Sequence, residues 1–251
     1  MYKFNYNGNV TETQKDFFET WGFIIYENII TEEEKNIIIE ETKILNKKTL
    51  HNEIPKEDID DLTTPGKDDE GNVILHRLPY INKYCKKTQE IIEDKKLLNL
   101  GRDLLQNREA FFLEDTMHGA LLQTKTFNSE SKYKEIDWHI DFPENHILSP
   151  VVTLGIYLDE SKMENGCLQL IPGSHNIPIN KFVPESLPIE VKATDLVCHV
   201  GGVFHASTSP TVEKGIRRTL YLYCCGGKYP GKYLPFGSQD KKEDTTKIFK
   251  Y

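Results

Sequence analysis

The stretch that decides the fold class runs from residue 150 to residue 158 and reads Pro-Val-Val-Thr-Leu-Gly-Ile-Tyr-Leu. Its side chains alternate in character, which is the pattern of an extended strand whose two faces meet different surroundings. One face is apolar and carries Val152, Leu154, Ile156 and Leu158. The other face is smaller and more polar and carries Thr153, Gly155 and Tyr157. We therefore predict a strand with one apolar face.

Similar short segments, separated by turns, follow one another along the second half of the chain. They cover residues 119–127, 135–142, 167–171, 189–200 and 217–225. Several strands at this spacing are typical of a sandwich or a barrel. We expect these strands to form the core of the fold, from about residue 118 to residue 227.

The first half of the chain carries helix signals instead. Capping boxes begin at Thr11 and Thr31, and the second helix is expected to run to about Asn46. Residues 82–107 are expected to form two further helical pieces. Helices first and strands later indicate an α+β fold, with N-terminal helices over about residues 10–110.

A single domain over residues 1–251 is the simplest account of this order of elements. Residues 48–75 interrupt it, because they are rich in Asp, Lys, Thr and Pro. We interpret them as a long surface insertion and a candidate active-site lid. The polar tail after Pro235 is expected to be loosely held.

The composition narrows the class of partner. The 251 residues carry a formal net charge of −8, which argues against nucleic acid or an anionic membrane surface as the main partner. No apolar run approaches the roughly 20 residues of a membrane helix. Five cysteines, an odd number without regular spacing, predict reduced thiols in a cytoplasmic protein. The sequence leaves the oligomeric state open.

One short segment predicts chemistry. Residues 138–142 read Trp-His-Ile-Asp-Phe, and in an extended strand His139 and Asp141 point to the same side, about 7 Å apart along the backbone. Two histidines and one carboxylate leave three sites of an octahedral metal open, which is the arrangement of non-haem iron(II) oxygenases. A His-x-Asp pair alone is weak, and a second histidine must complete the set. His199 and His205 are the candidates.

Three segments together resemble the phytanoyl-CoA dioxygenase superfamily over roughly residues 10–225. Residues 138–141 look like its W-H-x-D motif, and residues 164–175, Glu-Asn-Gly-Cys-Leu-Gln-Leu-Ile-Pro-Gly-Ser-His, look like its N-G-x-L-x-x-x-P-G-S-H segment. Asp195, followed by His205-Ala206-Ser207, resembles its G-D-x-x … H-x-S segment, and this spacing selects His205 over His199. The resemblance implies a double-stranded β-helix (jelly-roll, cupin-like) core flanked by N-terminal helices.

The same resemblance implies the cofactors. Iron(II) would be held by His139, Asp141 and His205, with 2-oxoglutarate and O₂ as cosubstrates. Members of the family bind 2-oxoglutarate through an arginine on the strand after the distal histidine, where this chain has Arg217 and Arg218. Arg217 shares a strand face with Thr219, Tyr221 and Tyr223, which favours it for a polar pocket.

Three further residues are candidates for binding 2-oxoglutarate. Thr153 resembles the position of a hydroxyl that supports this cosubstrate in ectoine hydroxylases of the superfamily. Gln123 and Lys125 share one face of an earlier strand, so each is a candidate to meet cosubstrate or substrate. We treat His146 and His199 as structural or supporting residues, and His175 as a turn residue.

The resemblance implies hydroxylation, or a related oxidation, of an unactivated C–H bond in a small molecule, with release of succinate and CO₂. Related halogenases replace the carboxylate with a small residue, so Asp141 favours hydroxylation. A cupin isomerase or thiol dioxygenase would favour an H-x-H pair, which the sequence lacks. The sequence leaves open a catalytically degenerate relative and an acyl-CoA hydroxylase. The chain shows no basic cluster for CoA phosphates, which favours a natural product or amino-acid-like substrate.

Overall fold

The computed structural model describes residues 3–59, 62–114, 119–127, 134–177 and 185–228. The tail after Pro235 lies outside these residues. Five α-helices are present in this part of the chain: α1 (Glu12–Trp21), α2 (Glu32–Leu50), α3 (Ile81–Tyr84), α4 (Lys86–Glu93) and α5 (Lys96–Leu104). Within the same residues, no helix is both long and apolar enough to cross a membrane.

The strands, in chain order, are β1 (Lys3–Phe4), β2 (Phe23–Tyr26), β3 (Pro65–Lys67), β4 (Val73–Leu75), β5 (Arg77–Leu78), β6 (Phe111–Phe112), β7 (Leu121–Lys125), β8 (Ile136–His139), β9 (Val151–Tyr157), β10 (Leu168–Leu170), β11 (Leu187–Ile189), β12 (Leu196–Val200), β13 (His205–Ser207) and β14 (Arg217–Cys225). They form two main sheets. The large sheet has the order β1-β2-β12-β9-β14-β7-β5, with β6 also paired to β14, and the small sheet has the order β11-β10-β13-β8. Apart from the parallel β1–β2 pair, their strands pair antiparallel. The two sheets form the jelly-roll core of an α+β fold.

Strand β9 lies where the alternating side chains of residues 150–158 predict it. Its apolar face lies in the main hydrophobic core, with the buried leucines of α5 among its neighbours there. Its other face lines a cavity between the two sheets. The prediction of a strand with two different faces is confirmed, because one face packs in the core and the other lines the cavity.

The two N-terminal capping boxes are also confirmed. Thr11 and Thr31 each accept a hydrogen bond from the backbone of the third helical residue, whose side chain bonds back to the cap. Helix α1 ends at Gly22, which has a left-handed φ of 76°, and a Cβ there would lie 2.6 Å from the His175 ring. Helix α2 continues to Leu50, one turn beyond the expected end at Asn46.

Several predicted boundaries were wrong, and local backbone geometry explains them. Residues 189–200 do not form one strand, because β11 ends at Ile189, β12 begins at Leu196, and Thr194, at a left-handed φ of 73°, turns the chain between them. Asp195 holds this turn by accepting from Lys192 N and Asn28 N. Residues 82–107 form three helices because Cys85 is extended and Lys95 is left-handed. The large sheet also contains β1, β2, β5 and β6, which precede residue 118.

The insertion at residues 48–75 contains regular structure. Strands β3 and β4 pair as a hairpin, whose turn is held by Asp68 accepting from the backbone of Glu70 and Asn72. At the tip, Asp69 accepts a hydrogen bond from Gly215 N at 2.9 Å. The hairpin therefore contacts the loop that precedes β14.

All five cysteines are free and buried. Cys224 lies in β14 where helix α5 crosses the large sheet, and a Cβ at Gly101 of α5 would lie 2.8 Å from its Sγ. The helix backbone therefore rests directly on the sheet at this point.

We expect Gly101→Ala to destabilise the protein by about 1–3 kcal/mol, because the added methyl overpacks a filled contact. Chemical denaturation measures the change in the free energy of unfolding. Adding Cys224→Ala should recover part of the loss, since it removes the nearest atom. Gly202→Ala is the control, because its methyl would meet nothing closer than 3.6 Å. Equal effects of the two glycine substitutions would contradict this account.

Candidate active site

The register of the small sheet brings two histidines together. His139 at the end of β8 and His205 at the start of β13 are direct cross-strand partners. Their ring centroids lie 4.2 Å apart. Antiparallel pairing therefore converts a separation of 66 positions in the sequence into one pair of side chains on the same sheet face.

Asp141 also lies beside the two histidines, but it is not part of a strand as predicted. Strand β8 ends at His139, so Asp141 lies in the following turn and not in a strand. The Gly201 carbonyl accepts from Asp141 N at 3.0 Å and from Phe142 N at 3.1 Å. A Cβ at Gly201 would lie 2.8 Å from the Phe142 Cβ, so the close approach requires glycine.

The histidine tautomers follow from their partners. His139 Nδ1 lies 2.7 Å from the Asp137 carbonyl, and His205 Nδ1 lies 2.9 Å from the Val203 carbonyl. Because a carbonyl only accepts, each Nδ1 carries the proton and each Nε2 presents its lone pair. The Asp141 Oδ1 atom lies 3.4 Å from His139 Nε2 and 3.7 Å from His205 Nε2.

This donor set fits a divalent metal ion. One atom from each of the three residues lies within 4.8 Å of the other two, and the histidine–histidine–carboxylate combination suits non-haem iron(II). Burial raises the pKa of Asp141, but the nearby His205 and His139 side chains lower it by more, so that it stays well below its usual range. The carboxylate is therefore ionised and able to act as a ligand.

Thr153 on β9 supports this carboxylate from the large sheet. Its hydroxyl lies 3.3 Å from Asp141 Oδ2, the oxygen turned away from the histidines. Its direct cross-strand partner is His199 on β12, whose ring lies 4.6 Å from the His205 ring. Burial, with His205 next, lowers the pKa of His199 to about 3, so this imidazole is neutral. Thr153 and His199 therefore contact two of the three candidate ligands, Asp141 and His205, from the large sheet.

The cavity between the sheets has a volume of about 170 Å³. The inner face of the large sheet contributes most of its charged, polar and aromatic wall: Arg77, Gln123, Thr153, Tyr157, His199, Arg217, Tyr221 and Tyr223. The small sheet and its turn contribute His139, Asp141, His205 and Ser207, together with apolar side chains. The candidate metal ligands and Arg217 therefore share one cavity.

The two neighbouring arginines differ sharply in their surroundings. Arg217 is 3% exposed, and its Nε and Nη1 atoms make no hydrogen bond. Arg218 faces the other way and forms two hydrogen bonds to the Asp159 carboxylate, at 2.8 and 2.7 Å. Near Arg217, the Thr219 hydroxyl and Gln123 Nε2 are also buried without a hydrogen-bond partner. Buried polar groups are normally paired, so these atoms mark where a polar ligand fits.

Lys125, the cross-strand partner of Arg217, is 1% exposed. Its Nζ donates to the Ser207 hydroxyl at 2.8 Å and to the Thr208 carbonyl at 2.9 Å. Burial, with the Arg217 charge next, lowers its pKa to about 6. A neutral amine has two N–H donors, which matches the two hydrogen bonds. The side chain lies behind the cavity wall in this structure.

Sequence reasoning missed Arg77 as a cavity residue. It lies on β5, a two-residue edge strand that carries no periodicity signal of its own. Its place depends on pairing with Gln123 of β7, 46 positions away. His146 lies apart from the cavity wall; its Nδ1 accepts from Leu148 N and its ring packs on Phe142.

In a comparison with protein families, the family described as Phytanoyl-CoA dioxygenase (PhyH) matches residues 18–219. No curated protein sequence matches the chain significantly.

Solved structures share the fold. EctD from S. alaskensis, with bound Fe, has a TM-score of 0.66 and 18% identity, covering 93% of this chain and 85% of that chain. The non-heme alpha ketoglutarate dependent carbocyclase SnoK from nogalamycin biosynthesis has a TM-score of 0.66 and 14% identity, covering 95% and 97%. HygX from Streptomyces hygroscopicus, with nickel and 2-oxoglutarate bound, has a TM-score of 0.64 and 15% identity, covering 88% of each.

The lowered pKa of Lys125 predicts a pH-dependent stability. Between pH 6 and pH 10 the unfolded chain binds a proton at this lysine that the folded protein does not. Raising the pH through this window therefore stabilises wild type relative to Lys125→Met, by up to about 1.4 kcal/mol per pH unit. Denaturation of both metal-free proteins at pH 7, 8 and 9 measures the difference.

The same substitution at the exposed Lys192 controls for the loss of a lysine charge. If the difference between wild type and Lys125→Met stays constant across this pH range, Lys125 is charged in the folded protein and the prediction is wrong.

Proposed function

Because the chain belongs to the phytanoyl-CoA dioxygenase family, we propose that it is an iron(II)- and 2-oxoglutarate-dependent dioxygenase. It hydroxylates an unactivated C–H bond of a small molecule of amino-acid or secondary metabolism and releases succinate and CO₂. One observation carries the proposal: the same cavity holds a histidine–aspartate–histidine cluster and a buried guanidinium with unpaired nitrogen atoms. A dianion that chelates a metal can use the cluster to bind the metal ion and the guanidinium to bind its second carboxylate.

In this proposal, His139, Asp141 and His205 bind the iron through Nε2, Oδ1 and Nε2. The backbone carbonyls of Asp137 and Val203 hold the histidine protons on Nδ1, which keeps both Nε2 atoms available for the metal. Iron(II) with 2-oxoglutarate and O₂ supplies the oxidising chemistry. The fold also accommodates Fe in EctD and nickel with 2-oxoglutarate in HygX, which supports this assignment.

Arg217 binds the far carboxylate of 2-oxoglutarate. Its planar guanidinium is permanently charged and can meet a carboxylate with two parallel hydrogen bonds. The Thr219 hydroxyl is a further donor beside it, and Gln123 and Lys125 lie on the neighbouring strand. Arg218 is a poorer candidate, because its guanidinium is already committed to Asp159. Thr153 acts on Asp141, through the contact to Oδ2, and so keeps Oδ1 turned toward the metal.

The presence of Asp141 supports hydroxylation over halogenation, because halogenation in this superfamily requires a halide at the position of the carboxylate. The cavity, with a volume of about 170 Å³, suits a small substrate. The five buried free thiols support a reducing, cytoplasmic location.

Anaerobic addition of Fe(II) and 2-oxoglutarate should produce a weak visible charge-transfer band. In air, a screen of small molecules should then identify compounds that stimulate succinate release. His205→Ala should lose the band, because the metal loses a ligand. His146→Gln is the matched control and should retain it, since His146 lies outside the cavity. Absence of the band in wild type, together with absence of succinate for every compound, would indicate a degenerate relative.

A second experiment separates the two arginines. Arg217→Gln should raise the dissociation constant for 2-oxoglutarate by at least about tenfold, because hydrogen bonds to charged groups contribute about 1.5–3 kcal/mol each. Arg218→Gln should leave that constant nearly unchanged and instead lower the melting temperature, because it breaks the pair with Asp159. Titration of the charge-transfer band measures the first quantity. The reverse result would assign the cosubstrate to Arg218.

A further inference from the structure

Four side chains form a row across the inner face of the large sheet. Arg77 of β5 is opposite Gln123 of β7, Gln123 is opposite Thr219 of β14, and Thr219 is opposite Tyr157 of β9. Directly opposite residues of antiparallel strands point to the same side of a sheet. Arg77 is 6% exposed and lines the same cavity as the candidate metal ligands.

Arg217 lies in the next row, two residues along β14 and opposite Lys125. The cavity thus receives two guanidinium groups from different strands, Arg217 from the middle of the sheet and Arg77 from its edge. With Arg217 assigned to the cosubstrate, Arg77 is the second guanidinium of the cavity wall that a ligand could contact. It lies on the side of the cavity away from β9 and β12, which support the metal ligands.

The chemistry of the Arg77 position suits a carboxylate. A guanidinium remains charged under all physiological conditions and offers five N–H donors in a planar fork. Arg77 also interacts with another group of the protein, and five donors allow it to keep that interaction while meeting a ligand. Gln123 Nε2, on the adjacent strand, is a buried donor without a partner. The aromatic ring of Tyr221 and the aliphatic side chains of Ile136 and Leu168 also line the cavity and can contact a carbon skeleton.

The charged residues of the cavity wall also favour a carboxylate as the ligand of Arg77. Asp141 is the one carboxylate among the described residues that line the wall. When iron(II) and the 2-oxoglutarate dianion are bound, their charges cancel against those of Asp141 and Arg217. Among the described residues of the cavity wall, Arg77 is then the remaining charged side chain that a substrate carboxylate could contact.

We propose that Arg77, assisted by Gln123, binds the carboxylate of the substrate, so that this oxygenase acts on a small carboxylic acid. The inference rests on the proposed function and adds the substrate class and the residue that selects it. Binding at the sheet edge would direct the rest of the substrate toward the metal, with the cosubstrate held separately by Arg217.

The first measurement asks which ligand Arg77 serves. Titration of the charge-transfer band in wild type, Arg77→Gln and Arg217→Gln gives the dissociation constant of 2-oxoglutarate for each. We expect little change for Arg77→Gln and a large rise for Arg217→Gln. If both variants lose affinity equally, Arg77 belongs to the cosubstrate site and the proposal is overturned.

The second measurement uses matched probes. Small aliphatic and aromatic carboxylic acids, each paired with its primary amide, are titrated calorimetrically into the anaerobic complex of enzyme, iron(II) and 2-oxoglutarate. At least one acid should bind wild type about tenfold or more tightly than its amide, as expected for hydrogen bonds to a charged group. Arg77→Gln should remove this preference. No acid binding, equal binding of acids and amides, or a preference that survives in the variant would each overturn the proposal.

Arg77→Lys provides a second variant in case the glutamine protein is unstable. It keeps the charge but loses the planar fork, so part of the acid preference should remain. Arg218→Gln applies the same chemical change outside the cavity and should keep the full preference. Failure of the wild-type protein to give the charge-transfer band would count against the proposed function itself. An intact band without acid preference would count against Arg77 alone.

Discussion

The arrangement of the site depends on one backbone carbonyl. Gly201, at the end of β12 in the large sheet, accepts hydrogen bonds from two consecutive amides that follow β8 of the small sheet. These bonds turn the chain at the point where β8 stops pairing, and the turn carries Asp141 toward the histidines. The carboxylate is therefore fixed relative to both sheets at once. The Thr153 hydroxyl, which approaches from β9, adds a second connection between them.

Three buried basic residues lie on the other side of the cavity or behind its wall. Arg77, Lys125 and Arg217 are all nearly inaccessible to solvent, and two of them are direct cross-strand partners. A buried cation is costly unless it is paired, and one of these groups adapts by giving up its proton. The proposed dianionic cosubstrate relieves the same cost at Arg217. Ligand binding and the electrostatic stability of the folded protein are coupled here, because one guanidinium contributes to both.

Sequence patterns predicted the structural features that depend on residues close together in the chain. The alternation in β9, the two capping boxes and the separation of Arg217 from Arg218 on opposite faces of β14 all follow from local periodicity. Features that depend on distant hydrogen bonds were not predictable in this way. Asp141 was expected in a strand, but its position depends on a carbonyl 60 residues further along the chain. Arg77 was overlooked because β5 is too short to show a periodic pattern. The direction of its side chain follows from its pairing with β7.

The burial of the cysteines has a practical consequence for chemistry on this protein. Desolvation raises the pKa of Cys85 to about 12 and that of Cys167 to about 11, and it also holds the thiol of Cys198 well above its usual pKa. Alkylating reagents attack thiolates, so the folded protein is a poor target for them despite its five sulfhydryl groups. A single cysteine introduced on the exposed hairpin turn would therefore accept a fluorophore or spin label selectively. Distances from that turn to the metal could then be measured without replacing any native residue of the core.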